Sequence, residues 1–447
     1  MNGTKPAAAE PKFLQGLGLL DSTMLVAGSM IGSGIFIVSA ESARLVGTGG
    51  RLLLVWTAAG ALTLLAALAC AELATMFPEA GGPYAFFREA YGPMAGFLYG
   101  WTMVLVVQTG TIAAVAVAFS KFLGVLAPSV EGWTAKGAAV LVVVVLTATN
   151  AQGLKTGTRV QNTLTVVKLA SLALLTLGCL MATAPAAPLS HSQNLSSSEI
   201  PLLATAFVLA LVGPAFSQSA WTNVTFPGGE VKEPERTFPF ALLVGCALVA
   251  SLYVLTNVGY LRVLGVEGVA HAPDGRVGTA AAERLLPGAG GAAMAAAILV
   301  STFGCANGLI LSGSRVVWAL AKDGFLPAFA ARLNGAGVPG AALALQAAWA
   351  VCLVLSGTYS ELLRYVVSVE FVVLVLLVAA VPVLRRRRPG VSRPYRAWGH
   401  PVTTGLFLAA AGCVVAVLAV QSPRTTWPGV GLVLLGVPVY LVRKRAA

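Results

Sequence analysis

Uncharged apolar runs, each near the roughly 20 residues one helix needs to cross a bilayer, recur along this chain from end to end and leave no stretch suited to a soluble domain. Of its 447 residues, 57% are hydrophobic and only 10% charged, whereas a water-soluble protein covers its surface with about a quarter charged residues. The runs centre near Ile31, Leu65, Val107, Val144, Leu172, Leu209, Leu248, Val300, Ala348, Val373, Ala411 and Leu434. That pattern predicts an all-α polytopic membrane protein with about 12 transmembrane helices and the lipid bilayer as its solvent.

The net charge of +12 would suit a nucleic-acid binder, but its distribution does not. With the loops assigned alternately to two sides, 18 of the 29 cations gather on one side, from Lys5 and Lys12 to Arg443, Lys444 and Arg445, and 9 on the other. Lys168 and Arg315 fall within helices. Such asymmetry marks the cytoplasmic side, so both termini are expected there and the number of helices is expected to be even. No nucleic-acid partner is expected. The polar stretches Ala184–Glu199 and Gly265–Glu283 read as extracytoplasmic loops. Arg385–His400 reads as a cytoplasmic connection that anchors topology, with anionic lipid binding the lesser alternative. The six cysteines all lie in apolar segments without a CxxC pair, which argues against a disulfide or zinc framework. No metal or cofactor is expected. The first apolar run continues into a Gly-rich helix rather than a cleavage site, so no signal peptide is expected either.

Two helices carry interruptions. Gly28 to Phe36 reads GSMIGSGIF, and each Gly costs a helix about 1 kcal/mol against Ala. In lipid the freed N–H and C=O groups have no water, so such backbone survives where it lines a cavity or meets a ligand. Gly32 and Gly34 permit close approach. The N–H groups of Ser33, Gly34 and Ile35 would open a half-helix whose positive dipole end favours a carboxylate. The carbonyls of Met30 and Ile31 suit an ammonium. One break thus offers both poles of a zwitterion, although Gly28 and Gly32 equally fit a small-xxx-small packing motif. About five helices later, Val212 to Phe226 reads VGPAFSQSAWTNVTF. Pro214 removes a backbone donor there, and Ser217, Gln218 and Ser219 compete for backbone bonds. Two interrupted helices at corresponding positions in two five-helix halves point to an inverted repeat. Neither break contains Asp or Glu, which favours neutral over cationic substrates. Thr222 and Asn223 serve either polar selectivity or helix contact.

GSMIGSGIF resembles the first-helix motif of the amino acid–polyamine–organocation superfamily of transporters, especially its L-type amino acid transporter branch. AELATMFPEAGGPYAFFREAYG (Ala71 to Gly92), EVKEPERTFP (Glu230 to Pro239) and SGSRVVWALAKDGFLP (Ser312 to Pro327) are similar to further family segments, in the right order. The resemblance implies a single transporter domain with the LeuT-type 5+5 inverted repeat. Residues 17–183 would form the first repeat, 200–384 the second, and 401–443 two helices outside it. It implies that the second interruption is unwound, with Ser217, Ser219 and Thr222 among the substrate-binding residues and its carbonyls helping to bind the substrate ammonium, and that Phe216 closes over the substrate, for which a core or lipid-facing aromatic is the plain alternative. It also implies that Lys168 takes the place of the sodium ion of sodium-coupled relatives, near the first break and the hydroxyl of Ser301. Snorkelling to the interface is the alternative for Lys168. The family's more Gly-rich stretch departs here at Ser217 to Ala220, which bears on pocket shape.

Glu370, in VVSVEFVVLVLL, matches no family pattern and reads as a possible proton site or a partner for a polar residue. Glu72 and Arg315 read as helix caps or gate salt bridges, and Asn307 as an interhelical hydrogen-bonding residue. The expected function is alternating-access transport of small neutral L-amino acids, by sodium-independent exchange or proton coupling. Larger neutral or cationic amino acids and polyamines are the alternative cargo, and a membrane amino acid sensor the non-transport alternative. No HExxH, GxSxG or paired aspartates occur at membrane depth, so no enzyme is expected. Ala127 to Gly137, where eukaryotic L-type relatives carry the cysteine that links their heavy subunit, has none, so no disulfide-linked partner is expected. Short loops place the chain, by analogy, in a bacterial inner membrane.

Overall fold

A computed structural model describes residues 13–182, 200–357 and 359–446. Lys5, Lys12 and the stretch Ala184–Glu199 lie outside the described residues. The chain begins with a bent pair, α1 (Leu19–Met30) and α2 (Gly34–Val46), inclined at 45°. There follow α3 (Gly49–Met76), the short α4 (Pro83–Tyr91), α5 (Pro93–Leu126), α6 (Gly132–Ala151) and α7 (Leu154–Met181). Next come α8 (Ile200–Ser217), α9 (Pro234–Ala270), the short α10 (Val277–Leu285), α11 (Gly290–Lys322) and α12 (Gly340–Ser356). The last three are α13 (Tyr359–Arg387), α14 (Val402–Gln421) and α15 (Pro423–Lys444). A helix covers eleven of the twelve apolar centres read from the sequence, and the remaining one, Ile31, falls in the break between α1 and α2. Ten helices are long and apolar enough to span, and the bent pair makes an eleventh. The twelfth, α12, has 17 residues, about 25 Å of rise, at the short end of what a bilayer needs.

The stretch Gly265–Glu283, expected as a loop, is largely helical. The chain reverses its backbone hand at Gly265, with φ of 69°, yet α9 runs on to Ala270. The alanine-rich VGTAAAERL then forms α10, in keeping with the helix propensity of those residues. Both described ends meet the same end of α11. Phe13 stacks edge-on against Trp318 with ring centroids 4.7 Å apart, and Tyr440 packs on Phe325 at 5.6 Å. We call this the terminal face and the opposite one the distal face.

The arginine-rich connection after α13 is more than a charge anchor. Glu72, 1% exposed near the end of α3, accepts Arg385 at 2.9 and 2.6 Å through both oxygens and the Ala397 N–H at 2.7 Å. Arg388 pairs with Glu89 of α4, and Arg387 donates to the Ala90 carbonyl. A buried carboxylate needs such compensation, so these arginines clamp α13 to α3 and α4. Asn307 bridges α11 to α6 and α7, accepting from Asn150 at 2.8 Å and donating to Gln161 at 2.9 Å.

Candidate substrate site at the helix breaks

The first break is a complete accounting of freed carbonyls. After Met30 the chain leaves the helix, with Ile31 extended at φ −79°, ψ 93°, and α2 restarts at Gly34. The last carbonyls of α1 have no donors four residues on, and side chains from three other helices replace them. Lys168 of α7 donates to Gly28 O and, at 3.0 Å, to Ile31 O. Tyr253 of α9 donates its hydroxyl to Met30 O at 3.0 Å, and the Cys305 thiol of α11 to Ser29 O at 3.4 Å. The Ser301 hydroxyl of α11 reaches Ile31 O at 3.1 Å and Gly32 O at 3.2 Å.

Lys168 and Ser301 thus converge on the break, and Lys168 is buried rather than snorkelling. The ammonium meets the Ser301 carbonyl at 3.4 Å, whereas the hydroxyl serves the break itself. Met30 O also takes the Gly32 N–H at 3.0 Å. Both lone pairs on the Met30 and Ile31 carbonyls are therefore engaged in this conformation, leaving the second lone pair of Gly32 O nearest to hand for an ammonium. On the other side of the break, the N–H groups of Ser33, Gly34 and Ile35 have no backbone acceptor among the described residues. They form the positive end of α2.

The second break follows from Pro214. Its missing N–H frees the Ala210 carbonyl four residues back, and the Ser42 hydroxyl of α2 caps that carbonyl at 3.0 Å. The Ser217 hydroxyl folds back onto Gly213 O at 2.9 Å, and the Gln218 N–H bonds Ala215 O, three residues back. From Ser219 to Thr225 the chain is a 3-10 helix. The expected unwound segment is instead a tightening from α to 3-10 geometry. Without glycine at Ser217 to Ala220 the backbone cannot take positive φ cheaply, so it narrows rather than opens.

The two interrupted helices touch. A Cβ on Gly34 would sit 2.3 Å from the Ser217 Oγ and 2.7 Å from its Cβ, so no side chain fits there without parting α2 from α8. Beside this contact lies a cavity of about 440 Å³, with Ser33, Ile37, Thr111 and Phe216 among its lining residues, within the range of small-molecule sites. Met30, Ile31 and Ile35 are buried behind it. The structure does not bring Ser219 or Thr222 to this cavity. Ser219 lines a small void with Trp221 and Phe371 and lies beside the Glu370 carboxyl of α13. Thr222 is buried, its carbonyl accepting the Thr225 hydroxyl. Asn223 accepts from Gln108 of α5 at 3.3 Å, a helix contact. Tyr253 and Thr111 carry no distinguishing signal in the sequence, since each stands among other polar residues of its helix, Ser251 and Thr256 near the first and Gln108 and Thr109 near the second.

Residues 17–439, nearly the whole chain, match the amino acid permease family. The chain belongs to that family. The permease is 29% identical over 439 residues to the serine/threonine exchanger SteT of Bacillus subtilis (strain 168), covering 96% of this chain and 97% of that one. It is 28% identical to the Asc-type amino acid transporter 1 of Mus musculus and to the large neutral amino acids transporter small subunit 2 of Homo sapiens. Each of these alignments covers 95% of this chain and 80% of the relative. The permease is therefore a multi-pass membrane carrier of the LeuT-type fold, in the L-type branch that its motifs resemble.

In the permease the terminal face carries a buried ion pair. Arg315 of α11 and Glu230, both 1% exposed, form a two-bonded pair at 2.7 and 2.8 Å. Gly16 and Leu17 donate their N–H groups to the Glu230 carbonyl, and the Lys232 N–H returns to Leu17 O. The sequence offered a helix cap or a salt bridge for Arg315, and the structure supplies the salt-bridge partner, Glu230, 85 residues away. A separate cleft on this face, lined by Tyr84, Arg88 and Asp323, includes no residue of either break. There the Tyr84 hydroxyl donates to Asp323 at 2.5 Å, and burial together with that bond pushes the phenol well above its ordinary pKa.

Proposed function

We propose that this permease exchanges small neutral L-amino acids across the bacterial inner membrane by alternating access, without sodium. The observation that carries this reading is the first break: the N–H groups that open α2 lack backbone acceptors among the described residues, Ser33 at their head lines a cavity, and a fixed ammonium and a hydroxyl hold the opposing carbonyls. The α2 end takes the substrate carboxylate, Gly32 O its ammonium, and Phe216 beside Ser217 closes over it. The absence of an acid from both breaks supports neutral cargo, as do the substrates in the relatives' names. Lys168 occupies the place a coupling cation would need, which supports sodium independence. The excess of cations around the terminal face supports cytoplasmic termini. Residues 17–183 and 200–384 are proposed as the two inverted repeats, with α14 and α15 outside them. The cysteine-free connection between α5 and α6 argues against a disulfide-linked subunit, and a carrier family argues against catalysis.

Counterflow of labelled serine and alanine in proteoliposomes tests the reading. Accumulation against unlabelled internal amino acid, unchanged when sodium replaces potassium, is expected. Failure with every common neutral amino acid would remove the carrier assignment, and sodium stimulation would remove the role given to Lys168.

Glu370 supports a proton-coupled version of the same reading. Its carboxyl lies beside Ser219 of the second break and near Tyr99 of α5, so protonation would alter a contact made to the second break. Substrate addition should then acidify wild-type vesicles but not those carrying Glu370→Gln. Equal acidification by both would exclude Glu370 as the proton site.

A further inference from the structure

The cavity that reaches the breaks is a shaft with a charged mouth. One wall is a stripe of α5: Thr111, Val115, Ala118 and Lys121 recur at the three- and four-residue spacing that shares a helix face. Ten residues of helix rise about 15 Å. Ser33 and Phe216 stand at the inner end, and Lys121, Asp274 and Arg276 stand at the outer end. Lys121 is exposed and has no ion pair among the described residues. The Arg276 side chain is 39% exposed, lies 5.6 Å over the Phe122 ring and is 3.7 Å from an Asp274 carboxylate that is itself 77% exposed. A pair that long and that wet cancels little of either charge. The mouth therefore presents two cations against one carboxylate above largely apolar walls, and low-dielectric walls focus such a field onto whatever enters.

We propose that Lys121 and Arg276 form a capture site for the carboxylate of the incoming amino acid, and that this positive mouth excludes substrates with cationic side chains before they reach the breaks. The inference rests on the amino acid carrier reading and deepens it: selectivity against cationic amino acids and polyamines begins at the mouth, about 15 Å from the break. Among the described residues that line the cavity, no other at its outer end offers a comparable donor for a carboxylate.

Serine uptake kinetics in proteoliposomes test it, using wild type, a Lys121→Gln/Arg276→Gln double variant and a Lys121→Glu/Arg276→Glu double variant. At low salt the neutral variant should raise KM about fourfold, as Coulomb's law in water gives for two unit charges about 4 Å from the carboxylate and about 7 Å from the substrate's own ammonium. The maximal rate should hold. The acidic variant should raise KM further and narrow the discrimination between serine and lysine. Both differences should collapse at about 500 mM salt, where the Debye length falls to a few ångströms. Unchanged KM at low salt in both variants, with wild type carrying serine, overturns the capture site and leaves the carrier intact. A wild type that carries no neutral amino acid overturns the carrier reading instead.

Discussion

Lys168→Ala is expected to lower serine counterflow by at least about a hundredfold while the protein still purifies as a monodisperse membrane protein. The ammonium donates to Gly28 O and Ile31 O, on either side of the point where α1 ends. Hydrogen bonds from a charged donor contribute about 1.5–3 kcal/mol each. Two of them therefore hold the break in register by roughly 3–6 kcal/mol, and each 1.4 kcal/mol is a factor of ten. Without them the carbonyls must find other donors in a site without bulk water, and α1 can extend its helix through Ile31. Ser301→Ala removes the one neutral donor shared between Ile31 O and Gly32 O and should cost less, about tenfold. The comparison separates position from mere volume, because a Lys168→Met variant of similar size should fail as badly as alanine. Counterflow above a tenth of the wild-type rate in Lys168→Ala would show that the break does not depend on this amine.

Arg315→Met is expected to be the most destabilising single substitution on the terminal face. It leaves the Glu230 carboxylate, 1% exposed, without its two-bonded partner, and removing one half of a buried pair costs about 3–5 kcal/mol. The apparent melting temperature in detergent should fall by more than about 5 °C. Glu230→Gln combined with Arg315→Met should lose less than Arg315→Met alone, since the double variant leaves no uncompensated charge. The backbone clasp survives in that variant, because Gly16 and Leu17 bind the Glu230 carbonyl and not its side chain. Equal melting of Arg315→Met and wild type would show that the pair contributes nothing to closing this face.

The difference between the two breaks shows where sequence reasoning succeeds. GSMIGSGIF announces its interruption because glycine weakens a helix wherever it occurs, and lipid leaves exposed backbone no other satisfaction. The second interruption was legible at Pro214, but its form was not. Whether a chain unwinds or tightens after a proline depends on neighbours such as Ser42, which caps the freed carbonyl from a helix 168 residues away in sequence. Glu72 was likewise readable as an acid near a helix end. Its partners Arg385 and Ala397 lie more than 300 positions later, so its role as the anchor of the arginine-rich connection was invisible.

Hydrophobic run length by itself determined the spanning helices of this permease, because crossing lipid demands a fixed number of apolar residues whatever their neighbours do. Local glycine and proline chemistry likewise determined where two of those helices give way. Only the tertiary structure decided which groups satisfy the exposed backbone: Tyr253, Cys305 and Ser301 beside Lys168 at one break, Ser42 at the other. Only it joined Glu230 to Arg315 and brought Arg276 to the mouth above Phe216. Those pairings depend on through-space distance between helices distant in sequence, and a hydrogen bond or ion pair a few ångströms long leaves no periodic trace along the chain.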